Sequence, residues 1–356
     1  MLKPCANLER VKQYHPPLSG RSGLRLDFNE NTEGCSPRVL ERLRSLTSEE
    51  LARYPEREPV ERAVAQWLAL SPEEVMLTNG VDEAIHLLCE TYLQTDAEAI
   101  IAVPTFGMYE VAASATGATV KAVAAEGFRF PAGGIMAQVT PRTRLIAIAN
   151  PNNPTGAVAA REELLAIADA ANEAAILIDE AYFDFYGESL IGEISRRANL
   201  FVARTFSKAY GLAGLRAGVL AGPARQMQFV RRIASPYNVN GVALACLPSA
   251  LADREYVTAY VEAVRRGRDR LQAELAALGM PFWPSHANFV LVRFGPAREN
   301  FISAMRQRGI LVRDRNSDPG CGGCVRITIG TEAHTDRLIA ALREYAQQRR
   351  GAEVPA

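Results

Sequence analysis

A lysine flanked by hydroxyl groups is the residue in this sequence best suited to covalent chemistry. Lys208 lies in the segment TFSKAYGLAGLR, directly after Ser207 and three residues after Thr205. Arg216 follows, beyond two glycines that allow the backbone to fold back. The amine can form an imine with an aldehyde, while the hydroxyls and the guanidinium can hold a phosphate. This combination is typical of a pyridoxal-phosphate site, although a lysine taken alone is more often a solvated loop residue.

A second motif places an acid at the end of an apolar strand. The segment AILIDEAY brings Asp179 to the carboxyl end of the strand and Tyr182 three residues further on. A carboxylate beside the ring nitrogen of pyridoxal phosphate keeps that nitrogen protonated, and a tyrosine could bond the phenolic oxygen. Asp179 could equally be a helix N-cap, which is a common arrangement after a strand.

Two further segments also follow apolar strands. In NPNNPTG, the Asn153 amide could donate to the same phenolic oxygen, although asparagine and proline also form ordinary turns. Gly80, Val81 and Asp82 open a predicted helix whose first backbone amides could bind a phosphate. We expect the Asp82 side chain to point away from the anion, because a carboxylate beside a phosphate would repel it. A plain helix cap is the alternative for this segment.

Three residues outside these motifs are candidates for cofactor or substrate contacts. Phe106 follows a predicted strand and could stack on a cofactor ring or pack in the core. Arg313 and Arg326 lie at or in C-terminal strands and could bind a carboxylate or phosphate through paired hydrogen bonds. Most of the 36 arginines of this chain are expected to be exposed at the surface, but Arg326 lies within an apolar strand.

These residues need a sheet to bring them together. Apolar runs predict strands at 74–77, 99–103, 144–149, 175–179 and 200–204, and helical periodicity predicts helices from about 82 and over 161–173. Strands that alternate with helices indicate an α/β fold with a mostly parallel sheet covered by helices on both faces. The C-terminal third predicts helices over 253–278, 297–308 and 332–347, with strands at 288–292, 310–313 and 325–329, followed by a frayed tail over 349–356.

We therefore predict three parts. An N-terminal arm, residues 1–33, packs on the small domain and on a partner subunit; residues 34–243 form the large cofactor-binding domain, and residues 244–356 form a smaller α+β domain.

Forty basic residues balance forty acidic ones, which argues against nucleic-acid binding. No apolar run approaches the ~18 residues of a membrane helix, and no secretory signal is visible, so we expect a cytoplasmic protein with reduced cysteines.

Metal binding is not indicated by the sequence. The four histidines form no recognisable metal motif, and Cys321 and Cys324 have no second cysteine pair at metal-site spacing. We interpret the segment CGGC as a glycine-rich turn with incidental thiols.

Together, the motifs resemble fold type I pyridoxal-phosphate-dependent aminotransferases of classes I and II, and most of all the histidinol-phosphate aminotransferase family. The resemblance spans nearly the whole chain and is carried by these stretches: NEN at 29–31, RYPE at 53–56, GMY at 107–109, PNNPTG at 151–156, DEAY at 179–182, and the segments 204–218, 309–314 and 324–331.

The resemblance implies a role for each candidate. Lys208 would bond the cofactor aldehyde and then move a proton between the substrate Cα and the cofactor C4′ atom. Asp179 would pair with the ring nitrogen, and Tyr182 would bond the phenolic oxygen. The remaining cofactor contacts would come from Gly80, Val81, Asp82, Phe106, Asn153, Thr205, Ser207 and Arg216. Tyr54 would reach the cofactor phosphate of a neighbouring subunit, so the site would require a homodimer. Arg326, assisted by Arg313, Asn31 and the partner arm's Tyr14, would bind substrate.

The activity implied is amino transfer from L-histidinol phosphate to 2-oxoglutarate, giving imidazole acetol phosphate and L-glutamate. Two departures from the family pattern leave the substrate open: Phe106 stands where tyrosine is more usual, and Thr32 where proline is more usual. Transamination of aromatic or other free amino acids is therefore the alternative, and decarboxylation of a phosphorylated amino acid is a third. A cofactor-binding regulator without activity is disfavoured by the intact lysine, aspartate and arginine.

Overall fold

A computed structural model describes residues 2–11, 13, 16 and 20–352 of this chain. Two sheets form its framework. The strands of the described part are β1 (Leu24–Leu26), β2 (Val75–Thr78), β3 (Glu98–Val103), β4 (Thr119–Ala124), β5 (Thr143–Ala149), β6 (Ala175–Asp179), β7 (Leu200–Thr205), β8 (Gly218–Ala221), β9 (Phe282–Trp283), β10 (Phe289–Arg293), β11 (Ile310–Asp314) and β12 (Cys324–Thr328).

Helices cover both sheets. Those of the described part are α1 (Pro37–Arg44), α2 (Ser48–Ala52), α3 (Glu58–Leu68), α4 (Gly80–Tyr92), α5 (Met108–Ala115), α6 (Ala132–Gln138), α7 (Arg161–Ala170), α8 (Phe183–Tyr186), α9 (Ala224–Ile233), α10 (Gly241–Ala252), α11 (Arg254–Ala277), α12 (Arg298–Gln307) and α13 (Glu332–Ala352). No helix among these residues combines the length and the apolar character that crossing a membrane requires.

The larger sheet has seven strands in the order β2-β8-β7-β6-β5-β3-β4. Only β8 runs against the others, pairing antiparallel with β2 and β7. Strands β2, β6 and β7 are buried along their whole length, because helices pack on both faces of the sheet. The predicted α/β architecture with a mostly parallel sheet is confirmed. The carboxyl ends of six strands meet at one edge, where open α/β proteins place their sites.

The smaller sheet has five strands in the order β1-β11-β12-β10-β9. β1 pairs parallel with β11, so a segment near the N-terminus is built into a sheet formed otherwise by the last quarter of the chain. β12 pairs antiparallel with both β10 and β11, which places Arg313 opposite Arg326. The predicted C-terminal α+β unit is present. The domain boundaries given above remain predictions.

The structure corrects two helix ends. α7 ends at Ala170, three residues before the predicted end, and Ala171 leaves helical geometry with φ −106° and ψ 51°. The last helix continues to Ala352, so residues 349–352 are helical rather than frayed. The CGGC segment is a turn, as predicted, because the Cys324 N–H donates to the Cys321 carbonyl over 2.9 Å.

Candidate active site

A cavity of about 270 Å³ lies at the carboxyl edge of the larger sheet, against β12 of the smaller sheet. Phe28, Asn29 and Glu30, which follow β1, complete its wall. Eleven of the residues predicted from the sequence line it: Val81, Asp82, Phe106, Asn153, Asp179, Tyr182, Thr205, Ser207, Lys208, Arg216 and Arg326. The structure therefore gathers side chains that are up to 245 positions apart in the sequence (Val81 to Arg326).

Lys208 presents its amine to this cavity from the loop after β7. Its Nζ atom donates a hydrogen bond of 3.1 Å to the Phe28 carbonyl oxygen. Burial lowers the pKa of Lys208 to about 8, and the positive charges of Arg326 and Arg216 act in the same direction, while Glu30 opposes them. The neutral, nucleophilic form of this amine is therefore far more populated near neutral pH than it is for an ordinary lysine.

Asp179 ends β6 and is 4% exposed. Its Oδ2 atom accepts a hydrogen bond of 2.5 Å from the Tyr109 hydroxyl, and its Oδ1 atom accepts one of 3.0 Å from the Ala181 N–H. Burial raises the pKa of Asp179 to about 6, and these two hydrogen bonds oppose the rise. A buried carboxylate in this position is suited to pair with a cationic group that enters the cavity.

Sequence reasoning did not assign Tyr109 to the site. Its hydroxyl reaches Asp179 across 70 positions of sequence, and its ring meets that of Phe106 edge-on at 5.9 Å between centroids. The signal that was available is its spacing: Tyr109 follows Phe106 by three residues at the start of α5, so the two can share one face.

Tyr182 also has a partner that the sequence did not indicate. Its hydroxyl accepts a hydrogen bond of 2.9 Å from the Asn29 side-chain amide, and Asn29 in turn accepts from the Thr328 hydroxyl at 3.1 Å. Asn29 is buried, with φ at 55°, a region that asparagine tolerates better than most residues. Burial raises the pKa of Tyr182, so its hydroxyl keeps its proton.

Asn153 and Arg326 meet in the lining of the cavity. The Arg326 Nη1 atom donates to the Asn153 side-chain oxygen, and its Nη2 atom donates to the Asp27 carbonyl over 2.8 Å. Arg326 is only 5% exposed, yet it lines the cavity. Its guanidinium is therefore fixed in position before any ligand arrives.

The end of the cavity near α4 has the features of an anion site. Gly80 has a φ of 74°, which strains other residues, and a Cβ atom added to it would lie 2.5 Å from Nη2 of Arg216 and displace that guanidinium. The Ser207 Oγ atom is buried and has no hydrogen-bond partner in the described part of the chain. The Ser207 N–H donates to Thr205 Oγ1 over 3.1 Å. An orphaned hydroxyl, a guanidinium and a helix N-terminus that converge on one point suit a phosphate.

The Asp82 side chain does not point away from the α4 end of the cavity, in contrast to the expectation from the sequence. Its Oδ2 atom accepts a hydrogen bond of 2.8 Å from Nη2 of Arg216, and the residue lines the cavity. The guanidinium charge offsets that of the carboxylate, which is why the two can lie together beside an anion site.

Four other predicted residues lie outside the cavity or the described chain. The Asn31 amide donates to the Ala209 carbonyl over 3.0 Å, and its oxygen accepts from two backbone N–H groups, so it braces a loop. Arg313 lies over the Phe28 ring, 5.0 Å from its centroid. Tyr54 is 77% exposed and stacks on Tyr237 at 4.2 Å. Tyr14 falls outside the described residues.

No group of three or more potential metal ligands occurs in the described part.

Comparison with known proteins agrees with this geometry. The family model described as aminotransferase class I and II matches residues 21–342. The chain belongs to the class I and II aminotransferases. It is 35% identical to the histidinol-phosphate aminotransferase of Paracoccus denitrificans, across 98% of this chain and 97% of the relative. It is 32% identical to the enzyme of that name from Moorella thermoacetica, across 96% and 90%.

A solved structure gives the same result for the fold. This chain superposes with a TM-score of 0.89 on the histidinol-phosphate aminotransferase of Sinorhizobium meliloti in complex with pyridoxal 5′-phosphate. The two are 25% identical, and each chain is covered over 98% of its length. These findings confirm three predictions for this aminotransferase: the fold type I architecture, the transaminase activity and pyridoxal 5′-phosphate as its cofactor.

Proposed function

We propose that this aminotransferase moves the amino group of L-histidinol phosphate to 2-oxoglutarate at the cavity around Lys208. The observation that carries the proposal is the convergence of three groups on one cavity: the Lys208 amine, the buried Asp179 carboxylate and the Arg326 guanidinium. An amine, an acid that can hold a ring nitrogen and a fixed cation for a substrate anion are what this reaction needs.

The cofactor's phosphate would be held at the end of the cavity near α4. Thr205, Ser207 and Arg216 would bond it through their side chains, and Gly80, Val81 and Asp82 through the helix N-terminus. The unpartnered Ser207 hydroxyl and the close approach of the Arg216 guanidinium to Gly80, which a Cβ atom would prevent, support this assignment. Phe106 would stack on the cofactor ring, since it lines the same cavity.

When bound, pyridoxal phosphate supplies an aldehyde that condenses with amines and a ring that withdraws electrons from the carbon bearing the nitrogen. Lys208 would then move a proton between the substrate Cα and the cofactor C4′ atom as a general base and acid. Asp179 would hold a proton on the ring nitrogen. Tyr182 and Asn153 would donate to the phenolic oxygen. The lowered pKa of Lys208, about 8, supports its role because a base works best near the ambient pH.

The substrate assignment rests on two kinds of support. Curated relatives that are 32–35% identical over nearly the whole chain carry the name histidinol-phosphate aminotransferase. Arg326 lines the cavity and would bind a phosphate or the carboxylate of glutamate. Arg313 would assist from the neighbouring strand, where it lies opposite Arg326 and over Phe28, which lines the same cavity.

A substrate panel on the purified, cofactor-loaded enzyme tests the proposal. L-Histidinol phosphate, phenylalanine, tyrosine and aspartate would be compared as donors to 2-oxoglutarate by kcat/KM. We expect a preference for histidinol phosphate over every free amino acid. A preference for phenylalanine or tyrosine would contradict the substrate assignment, and carbon dioxide release from a phosphorylated amino acid without an oxo-acid acceptor would contradict amino transfer.

We also propose a homodimer with shared active sites. Tyr54 is exposed outside its own cavity and stacks on Tyr237, which is 55% exposed, so both rings are available to a second subunit. Tyr54 would reach the cofactor phosphate of that subunit. The Tyr14 of the partner's arm would approach the substrate. Analytical ultracentrifugation should give twice the 38.8 kDa mass of the chain, and a monomer with full activity would contradict the shared site.

A further inference from the structure

A buried hydrogen bond joins Tyr109 to the acid of the site. Tyr109 lies in the first turn of α5 and is 1% exposed, so its hydroxyl is shielded from solvent. That hydroxyl donates to Asp179 Oδ2 over 2.5 Å, at the short end of the range for O–H···O hydrogen bonds to carboxylates. The contact links α5 to the end of β6.

Each oxygen of Asp179 has a donor from a different element. Oδ2 accepts from Tyr109, and Oδ1 accepts from the Ala181 N–H over 3.0 Å, from the loop after β6. Two donors at opposite oxygens determine the plane of a carboxylate. The remaining lone pairs of Asp179 are therefore directed before a cofactor enters the cavity, and such preorganisation strengthens electrostatic interactions.

The hydrogen bond also favours the ionised form of Asp179. Burial raises the pKa of this carboxyl group, and the negative charges of Asp82 and Glu180 add to the rise, while the Tyr109 and Ala181 donors oppose it. Burial and the Asp179 charge raise the pKa of Tyr109 far above its usual value, so the tyrosine remains the donor.

We infer that Tyr109 is a positioning residue that acts through Asp179 on the ring nitrogen of the cofactor. It holds the carboxylate ionised and oriented, so that the carboxylate can retain the proton on that nitrogen. This inference rests on the role proposed for Asp179. It adds a residue to which the sequence analysis gave no role in the site.

The test compares two cofactors in two proteins. Apoenzyme is prepared from wild type and from Tyr109→Phe, and the affinity for pyridoxal 5′-phosphate is measured alongside that for its 1-deaza analogue, in which carbon replaces the ring nitrogen. Tyr109→Phe removes only the hydroxyl. Tyr92→Phe is the matched control, because it removes a tyrosine hydrogen bond of 3.0 Å to Gln226 outside the cavity.

We expect Tyr109→Phe to bind pyridoxal phosphate about 10- to 100-fold more weakly than wild type, as for the loss of a hydrogen bond to a charged group. Its affinity for the deaza analogue should stay within about twofold, and Tyr92→Phe should match wild type with both compounds. An equal loss for both compounds would show a structural role only, and no loss for either would also overturn the inference. If wild type binds the two compounds with equal affinity, Asp179 does not pair with the ring nitrogen, and the inference about Tyr109 is wrong as well.

Discussion

The Nζ atom of Lys208 donates a hydrogen bond of 3.1 Å to the carbonyl oxygen of Phe28. Phe28 follows β1, which belongs to the smaller sheet, whereas Lys208 follows β7 of the larger one. The amine is thus held at the junction of the two sheets, in a site that desolvates it. The hydrogen bond orders the amine, whereas burial and the positive charges of Arg326 and Arg216 lower its pKa.

The capture of pyridoxal phosphate by the apoenzyme should depend on pH with a midpoint near 8. Below this pH Lys208 is mostly protonated, and above it the amine is neutral and reactive. At pH 7 a pKa of about 8 leaves roughly 10% of the amine neutral, against about 0.03% for an ordinary lysine. Stopped-flow absorbance measures the rate, which should rise from pH 6 to 8 and level off above 9.

Nα-acetyl-lysine is the control for that measurement, because its ε-amine has an ordinary pKa and it shares only the titration of pyridoxal phosphate with the enzyme. Its rate should keep rising past pH 10. An enzyme rate that follows the same curve would contradict the lowered pKa of Lys208.

Gly80→Ala should weaken cofactor binding by about tenfold or more. The added Cβ would lie 2.5 Å from Nη2 of Arg216, and alanine is strained at a φ of 74°. The guanidinium would be displaced from the proposed phosphate site. Fluorescence titration with pyridoxal phosphate measures the change.

Gly133→Ala is a suitable control for this variant. Gly133 lies in α6, has no positive φ, and an added Cβ would meet nothing within 4 Å. Alanine there should leave cofactor affinity unchanged and raise stability by about 0.5–1 kcal/mol. Wild-type affinity in Gly80→Ala would argue against a phosphate at this end of the cavity.

The sequence predicted five strands of the larger sheet, including the edge strand β2, and missed β4 and β8. β3, β5, β6 and β7 were predicted to within about one residue at each end, because strands buried on both faces read as unbroken apolar runs. β4 was missed because it is an edge strand whose residues are mostly half-exposed or exposed. β1 has three residues, too few for periodicity to indicate a strand.

The site was predictable where motifs follow strands, and not where the residues in contact are far apart in the sequence. Lys208, Asp179 and Asn153 lie within four residues of a strand end, so the parallel topology alone brings them to one edge. The partners Tyr109 and Asn29 reach Asp179 and Tyr182 across 70 and 153 positions. Such pairs depend on how α5 and the segment after β1 pack, which local pattern does not specify.

Arg326→Gln should raise the KM for the anionic substrate about 10- to 100-fold, since it removes charge-assisted hydrogen bonds. The change in kcat should be smaller, because the proposed role is binding rather than proton transfer. Steady-state kinetics measure both constants, and the visible absorbance of bound cofactor checks that the buried site has folded.

Arg266→Gln is the surface counterpart. Arg266 and Glu332 form an ion pair in which both side chains are 59% exposed, so its loss should leave both kinetic constants within about twofold. A KM that is unaffected in Arg326→Gln would exclude this arginine from substrate binding.

The most direct test of the central claim is to locate the covalent bond. Purified enzyme reduced with borohydride and digested should yield one phosphopyridoxyl-modified peptide, with the group on Lys208, and Lys208→Ala should carry no modification and show no measurable turnover. Modification at Lys3, Lys12 or Lys121 instead, or unimpaired turnover in Lys208→Ala, would contradict the account.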